Sequence, residues 1–368
     1  MSQYVYLRPI GAFFSAAANP ADGETPSPYL GLPLSNTGLH FNTLEVAERS
    51  GAGVRRSLID LAGLFQRDWP HAIELSAAVE RLTEPRPRFA GMALDRPRIM
   101  GIVNVTPDSF SDGGQHGDTE RAVAHGLRLV AEGADILDIG GESTRPGAEP
   151  VALAEELRRV IPVIEGLRAK TDKLISVDTR KSHVMRAAAG AGADILNDVS
   201  ALTHDPASLD AAAATGLPVI LMHAQGDPRT MNDAPRYGDL VLDVFDYLAG
   251  RIAACDAAGI PRAKLCADPG IGFGKHLDHN VAMMANLSIL HGLGVPILLG
   301  ASRKKMIGQL YDVPDAKDRV PGSLACALVG AAQGVQIMRV HDVAATKQAL
   351  AVWRASTLGY EPDDKARV

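Results

Sequence analysis

The amino-acid sequence predicts an α/β protein: a (β/α)8 barrel over residues 96–368, preceded by an extension, residues 1–95, that is only partly helical. Three observations predict it. From Arg98 onward, short β-branched apolar runs alternate with longer segments whose apolar residues recur at i, i+3 and i+4. Eight such runs occur, each closed by a polar cluster. Several of the intervening segments end in glycine (Gly133, Gly192, Gly216, Gly259), the residue that most easily adopts a left-handed helix cap. Parallel strands buried by both neighbours and by covering helices close within about 250 residues as a barrel. A doubly wound open sheet is the alternative arrangement of the same pattern.

The strands read, in order, RIMGIVNV from Arg98, DILDIG from Asp135, LISVD from Leu174, DILND from Asp194, PVILMH from Pro218, KLCADP from Lys264, PILLGAS from Pro296 and QIMRVH from Gln336. The clearest helix follows the fifth, where Leu240, Val241, Val244, Phe245, Leu248 and Ile252 keep one apolar face over four turns. Residues 1–95 lack this rhythm. Helix-like patterns are read there at TLEVAERS from Thr43, VRRSLIDLAGLF from Val54 and WPHAIELSAAVERL from Trp69, and TEPRPRFAGMALDRPR from Thr83 reads as a linker.

Composition narrows the function. The 368 residues are 46% hydrophobic and 22% charged with a net charge of -6, so no overall basic field exists to attract a nucleic-acid backbone or an acidic membrane surface. Any anionic ligand needs local positive charge. Cys255, Cys266 and Cys326 are odd in number and form no C-x-x-C pair, which fits buried thiols in a reduced compartment. The opening MSQYVYLRPIGAFFSAAA lacks the basic segment and continuous apolar core of a signal peptide, and a cytoplasmic location is expected.

The active site of a barrel lies at the C-terminal ends of its strands. Here that ring is polar: Asn104, Glu142, Asp178, Asn197, Asp198, Met222, His223, Asp268, Arg339 and His341 end their strands. A single Asp at a strand end is commonly a turn or cap residue. Asp178, Asn197 and Asp268 converging in one closed cavity would leave donors and acceptors unpaired unless a polar ligand fills them, and they suit a flat heterocycle with an aminopyrimidinone edge. Arg145, Lys275, Arg303, Lys304, Lys305 and Arg339 fall in the same loops, although Lys275 and Lys305 read equally well as solvated charges. Arg339 and His341 precede a helix starting near Asp342, the common phosphate site of this architecture. No G-x-S-x-G, H-E-x-x-H or Walker spacing occurs. A Mg²⁺ ion held by Asn104 and by the phosphates of a substrate would need no dedicated cage.

The motifs NVTPDSFSDGG, DIGGESTRPGA, SVDTRK, ADILNDVSAL, LMHAQGDPRTM, ADPGIGFGK, GASRKKMIGQL and RVHDV follow one another between Arg98 and Ala355, and by them the chain resembles the dihydropteroate synthase family. The resemblance implies condensation of p-aminobenzoate with a dihydropterin methyl pyrophosphate, with Mg²⁺ as cofactor and a homodimer paired through barrel helices. It implies a pterin site of Asp178, Asn197, Met222, Asp268, Gly272, Phe273, Lys304 and Arg339, and a pyrophosphate site of Asn104, Arg339 and His341. Phe110, Thr144, Arg145, Pro146 and Ser302 would hold the aminobenzoate, and Asp108, Lys304 and Arg339 would act in catalysis. Ala224 and Lys305 depart from the pattern without removing any of these groups. ESTRPGAEP carries no insertion of the kind found in sulfonamide-insensitive relatives, so competition by sulfonamides is expected. A pterin-binding methyltransferase domain would keep the Asp178, Asn197 and Asp268 floor but has no use for the SRK and RVHD rim. A non-catalytic pterin-binding paralogue is the other alternative.

Overall fold

The computed structural model describes residues 4–14, 31–66, 72–105, 114–143, 148–226, 231 and 233–358. The chain opens with β1 (Tyr4–Ile10), β2 (Phe13–Phe14), β3 (Leu32–Pro33), β4 (Leu39–Phe41), β5 (Thr43–Ser50) and β6 (Gly53–Asp60), then α1 (Leu61–Gln66) and α2 (Ala72–Thr83). The strands pair antiparallel as two three-stranded sheets, β1-β5-β6 and β2-β4-β3. α2 lies within the third helix-like pattern of the sequence, whereas the first, at Thr43, and the first half of the second, at Val54, are strands. Leu44 and Val46 are buried two residues apart, a period that suits a strand with one covered face. The turn at Gly51 and Ala52 then sets Glu48 opposite Arg55, whose guanidinium bonds the carboxylate at 2.5 Å. Cross-strand pairing and burial decided what the apolar spacing alone left ambiguous.

The segment expected to be a linker is a plug. Phe89 and Leu94 are completely enclosed, and Phe89 and Met92 exchange backbone hydrogen bonds at 3.0 and 2.9 Å across a tight turn at Ala90 (φ 50°) and Gly91 (φ 78°). The alternation of the eight barrel strands with helices follows. The elements are β7 (Arg98–Asn104), α3 (Gly114–Glu132), β8 (Ile136–Gly140), α4 (Leu153–Arg168), β9 (Leu174–Asp178), α5 (Ser182–Ala191), β10 (Ile195–Asp198) and α6 (Ser208–Thr215). Then come β11 (Val219–Met222), α7 (Leu240–Ala257), β12 (Leu265–Asp268), α8 (Leu277–Ala285), β13 (Leu298–Leu299), α9 (Lys305–Tyr311), α10 (Val320–Ala332), β14 (Ile337–Val340) and α11 (Val343–Leu358). The parallel strands run in order from β12 back to β7, then β14 and β13, and a bridge between Ala267 and Ile297 closes the ring.

Side chains alternate in and out along each strand, so the interior is layered. The lower layer is apolar: Met100, Ile136, Ile195, Ile220, Cys266, Leu298 and Ile337 pack on Phe89 and Leu94. Two residues further along the same strands the layer above holds Asp138, Ser176, Asn197, Met222, Asp268 and Arg339. The polar layer underlies the site.

Candidate active site

Register brings the strand-end residues together. Asp178 on β9 pairs with Gly140 on one side and Asn197 on the other, and Met222 on β11 lies opposite Asp268 on β12. Arg339, from β14, reaches across the interior. Its Nε donates to Asp138 at 2.6 Å and its Nη2 to Asp178 at 2.8 Å, while the Asn197 amide donates to Asp138 at 3.2 Å. Asp138 is fully enclosed, and a carboxylate there is tolerable only because a guanidinium meets it. Burial raises the pKa of Asp178, and Arg339 opposes that rise. Burial works against the charge of Arg339 too, but Asp138 and Asp178 outweigh it and hold the guanidinium firmly protonated.

Asp138 is the residue the sequence did not yield. It lies inside the apolar run DILDIG rather than at a strand end, and its signal is parity: two residues beyond inward-facing Ile136, it must also point inward.

The β12 loop forms another wall. Asp268 accepts from Gly270 N at 2.7 Å, and burial raises its pKa. Gly270 (φ 68°) admits no side chain, since a Cβ would lie 1.9 Å from His223 O. Phe273 faces Lys304, whose Nζ stands 4.0 Å from the ring centroid, and Gly272 lies against the Lys304 stem. Lys275, which the sequence allowed to be a solvated charge, is buried: its Nζ lies 2.9 Å from His223 Nδ1 and donates to Gly270 O at 3.0 Å and Phe273 O at 3.2 Å. Burial pulls its pKa down to about 7 and that of His223 to about 2, so the imidazole is neutral.

The anion rim is narrower than the charge pattern suggested. Ser302 Oγ lies 3.0 Å from His341 Nδ1 and accepts from His341 N at 3.2 Å, which joins these two residues in one unit. Arg303 is committed to Asp342 by two hydrogen bonds of 3.0 and 2.6 Å, and Lys305 is exposed at the start of α9. A cleft of about 540 Å³ opens here, lined by Asn104, Arg303, His341 and Asp342 together with His125 and Arg128 of α3. Among the described residues no group of three or more His, Cys, Asp or Glu could cage a metal. The half-buried Asn104 offers a neutral oxygen donor at this rim, which fits a hard cation held mainly by ligand phosphates. Asp108, Phe110, Thr144, Arg145 and Pro146 lie outside the described residues. Glu142, at the base of the second loop, is held by Arg180 at 2.6 Å and by Lys181, which also bonds buried Glu156.

A closed barrel with carboxylates, an amide and a guanidinium on its strand ends defines a pterin-binding enzyme, and the family model described as "Pterin binding enzyme" matches residues 100–341. The dihydropteroate synthase of Escherichia coli (strain K12) is 51% identical over 263 residues, covering 72% of this chain and 93% of that protein. The enzyme of Haemophilus influenzae is 48% identical over 72% of this chain and 95% of its own length. A solved structure of the Xanthomonas albilineans dihydropteroate synthase with 4-aminobenzoic acid is 55% identical with a TM-score of 0.70, covering 75% of this chain and 100% of that one. The chain belongs to the dihydropteroate synthase family and is a transferase of folate biosynthesis. The family model begins at residue 100, beyond the N-terminal sheets.

Proposed function

We propose that the barrel joins p-aminobenzoate to a 7,8-dihydropterin carrying a 6-methyl pyrophosphate and releases dihydropteroate and pyrophosphate. The observation that carries this is the Asp138–Arg339–Asp178 array beside Asn197 and Asp268, a rigid set of donors and acceptors matched to a pterin edge. Asp178, Asn197, Asp268 and Lys304 take the ring edge, and Met222, Gly272, Phe273 and the Arg339 plane take its faces. Asn104, Arg339 and His341 receive the pyrophosphate. Ser302, tied to His341, borders the aminobenzoate together with Phe110, Thr144, Arg145 and Pro146.

The C–O bond to pyrophosphate breaks first, and positive charge at the rim stabilises the leaving anion. The exocyclic methylene is left cationic and conjugated with the pterin, near the carboxylate that the family pattern places at Asp108. The arylamine nitrogen then attacks, a C–N bond forms, and the ammonium gives up its proton. Orientation and exclusion of water supply much of the rate, since no covalent enzyme intermediate is needed. A Mg²⁺ ion would be held by Asn104 and the substrate's phosphates and would neutralise charge on the departing pyrophosphate.

Solved structures of family members carry 7,8-dihydropteroate (Xanthomonas albilineans) and a sulfonamide drug (Yersinia pestis), which supports the product assignment and competition of sulfonamides with aminobenzoate. We further propose a cytoplasmic homodimer, with residues 1–95 an accessory unit and 96–368 the catalytic barrel. No described helix is long and apolar enough to cross a membrane. The methyltransferase alternative leaves the Ser302–His341 unit without a task. Pyrophosphate release from purified protein given the pterin pyrophosphate and Mg²⁺ tests the function: it should require aminobenzoate and fall steeply in Arg339→Ala and Lys304→Ala. Pterin binding without release would favour a binding module.

A further inference from the structure

The first sheet of the N-terminal region grips the start of α7. Arg49 Nη2 bonds Asp243 Oδ1 at 2.6 Å, Arg49 Nη1 bonds Asp246 at 2.8 Å, and Arg56 Nη2 meets Asp239, the N-cap of the helix, at 2.5 Å. The other oxygen of Asp243 accepts from the backbone N–H groups of Gly238 at 2.7 Å and Asp239 at 3.2 Å. One residue before them, Tyr237 donates its hydroxyl to Gly274 O at 2.7 Å. Gly274 is flanked by Phe273 and Lys275, and a side chain there would collide with Gln225, so this backbone is closely confined. A continuous set of contacts thus runs from the extension to the loop that carries Phe273.

We propose that the N-terminal sheet is a brace for the pterin loop, with Arg49 and Arg56 acting through Asp243, Asp239 and Tyr237 as positioning residues for Phe273. This rests on Phe273 packing against the pterin, as argued above. A loop already held in place has less freedom to lose when its ligand binds, so the brace acts on pterin affinity rather than on bond breaking. The part of the chain matched by the family model begins at residue 100, so the two arginines of the brace lie outside it.

The test is steady-state pyrophosphate release by the full-length protein. Arg49→Ala with Arg56→Ala should raise KM for the pterin pyrophosphate by about three- to tenfold, with kcat within about twofold and KM for aminobenzoate unchanged. Tyr237→Phe, which keeps the ring and so keeps folding intact, should shift the same KM in the same direction. Combining it with Arg49→Ala should add little to either alone, because both cut one chain of contacts. Arg55→Ala, on the same strand but paired with Glu48 inside the extension, should change nothing. An unchanged pterin KM in the arginine and tyrosine variants, full additivity, or an equal effect of Arg55→Ala would overturn the brace. Absence of aminobenzoate-dependent release in the unaltered protein would instead overturn the synthase assignment, and the same cycle would then be read by equilibrium pterin binding.

Discussion

The two mouths of the barrel are built from the same eight strands, two residues apart, and they do opposite things. On β8 the step is from Ile136 to Asp138, on β10 from Ile195 to Asn197, on β12 from Cys266 to Asp268 and on β14 from Ile337 to Arg339. The lower layer is sealed by Phe89 and Leu94 and stabilises the ring through apolar burial. The upper layer carries two enclosed acidic groups, Asp138 and Asp268, with Asp178 one step above them, and a guanidinium that only partly neutralises the three. The stability of the lower layer lets the upper one keep charges that water would otherwise dissolve into separate, mobile side chains. The lesson is one of division: one layer supplies rigidity and the next spends it on recognition.

Substitutions in each layer put this division to the test. Arg339→Ala leaves Asp138 and Asp178 without their charged partner, and uncompensated buried charge is worth about 3–5 kcal/mol. The expected result is loss of kcat/KM by two to three orders of magnitude, together with a lower thermal midpoint, read by pyrophosphate release and by circular dichroism. Phe89→Ala should also lose about 3–5 kcal/mol in denaturant unfolding, but the folded enzyme should keep kcat/KM within about twofold, because the plug packs on the apolar lower layer. Equal damage to turnover would show that the layers are not separable. Asp138→Asn keeps the shape and removes the charge that pins Arg339, so kcat/KM should fall about 10- to 100-fold, with little change in the unfolding midpoint.

A smaller effect concerns pH. Burial raises the pKa of Asp178 and Asp268, so each takes up its proton at a higher pH in the folded protein than in the unfolded chain. The sign follows: as pH falls, folding stability gains from these two groups while pterin binding loses the acceptors it needs. Pterin affinity measured by fluorescence should therefore weaken with a midpoint above the ordinary carboxylate value of about 4. A midpoint at or below 4 would place these carboxylates in a far wetter site.

Much of this was legible in the sequence. All eight strands fall on the apolar runs that predicted them, and Asp178, Asn197, Asp268, Arg339 and His341 were visible because the barrel exposes its strand ends by construction. Asp138 was hidden because a charge within an apolar run looks like a surface position until its depth in the ring is known. Lys275 was ambiguous for the converse reason: a lysine in a glycine-rich loop carries no mark of burial, and only packing against His223 reveals it. In the extension, Leu44, Val46 and Ala47 fit a helix as well as a strand, and long-range pairing with β1 and β6 decided between them.

The closure of the ring has a consequence in time. β7, the first barrel strand to be synthesised, finds one of its two neighbours in β14, the last, and the remaining gap is sealed by the bridge between Ala267 and Ile297. The plug at Phe89 leaves the ribosome before any barrel strand, yet it can be enclosed only after the final strand arrives. Nascent chains must therefore carry an apolar plug and an unpaired strand edge from the synthesis of Phe89 until that of Val340, a period in which they are exposed to aggregation and to chaperones.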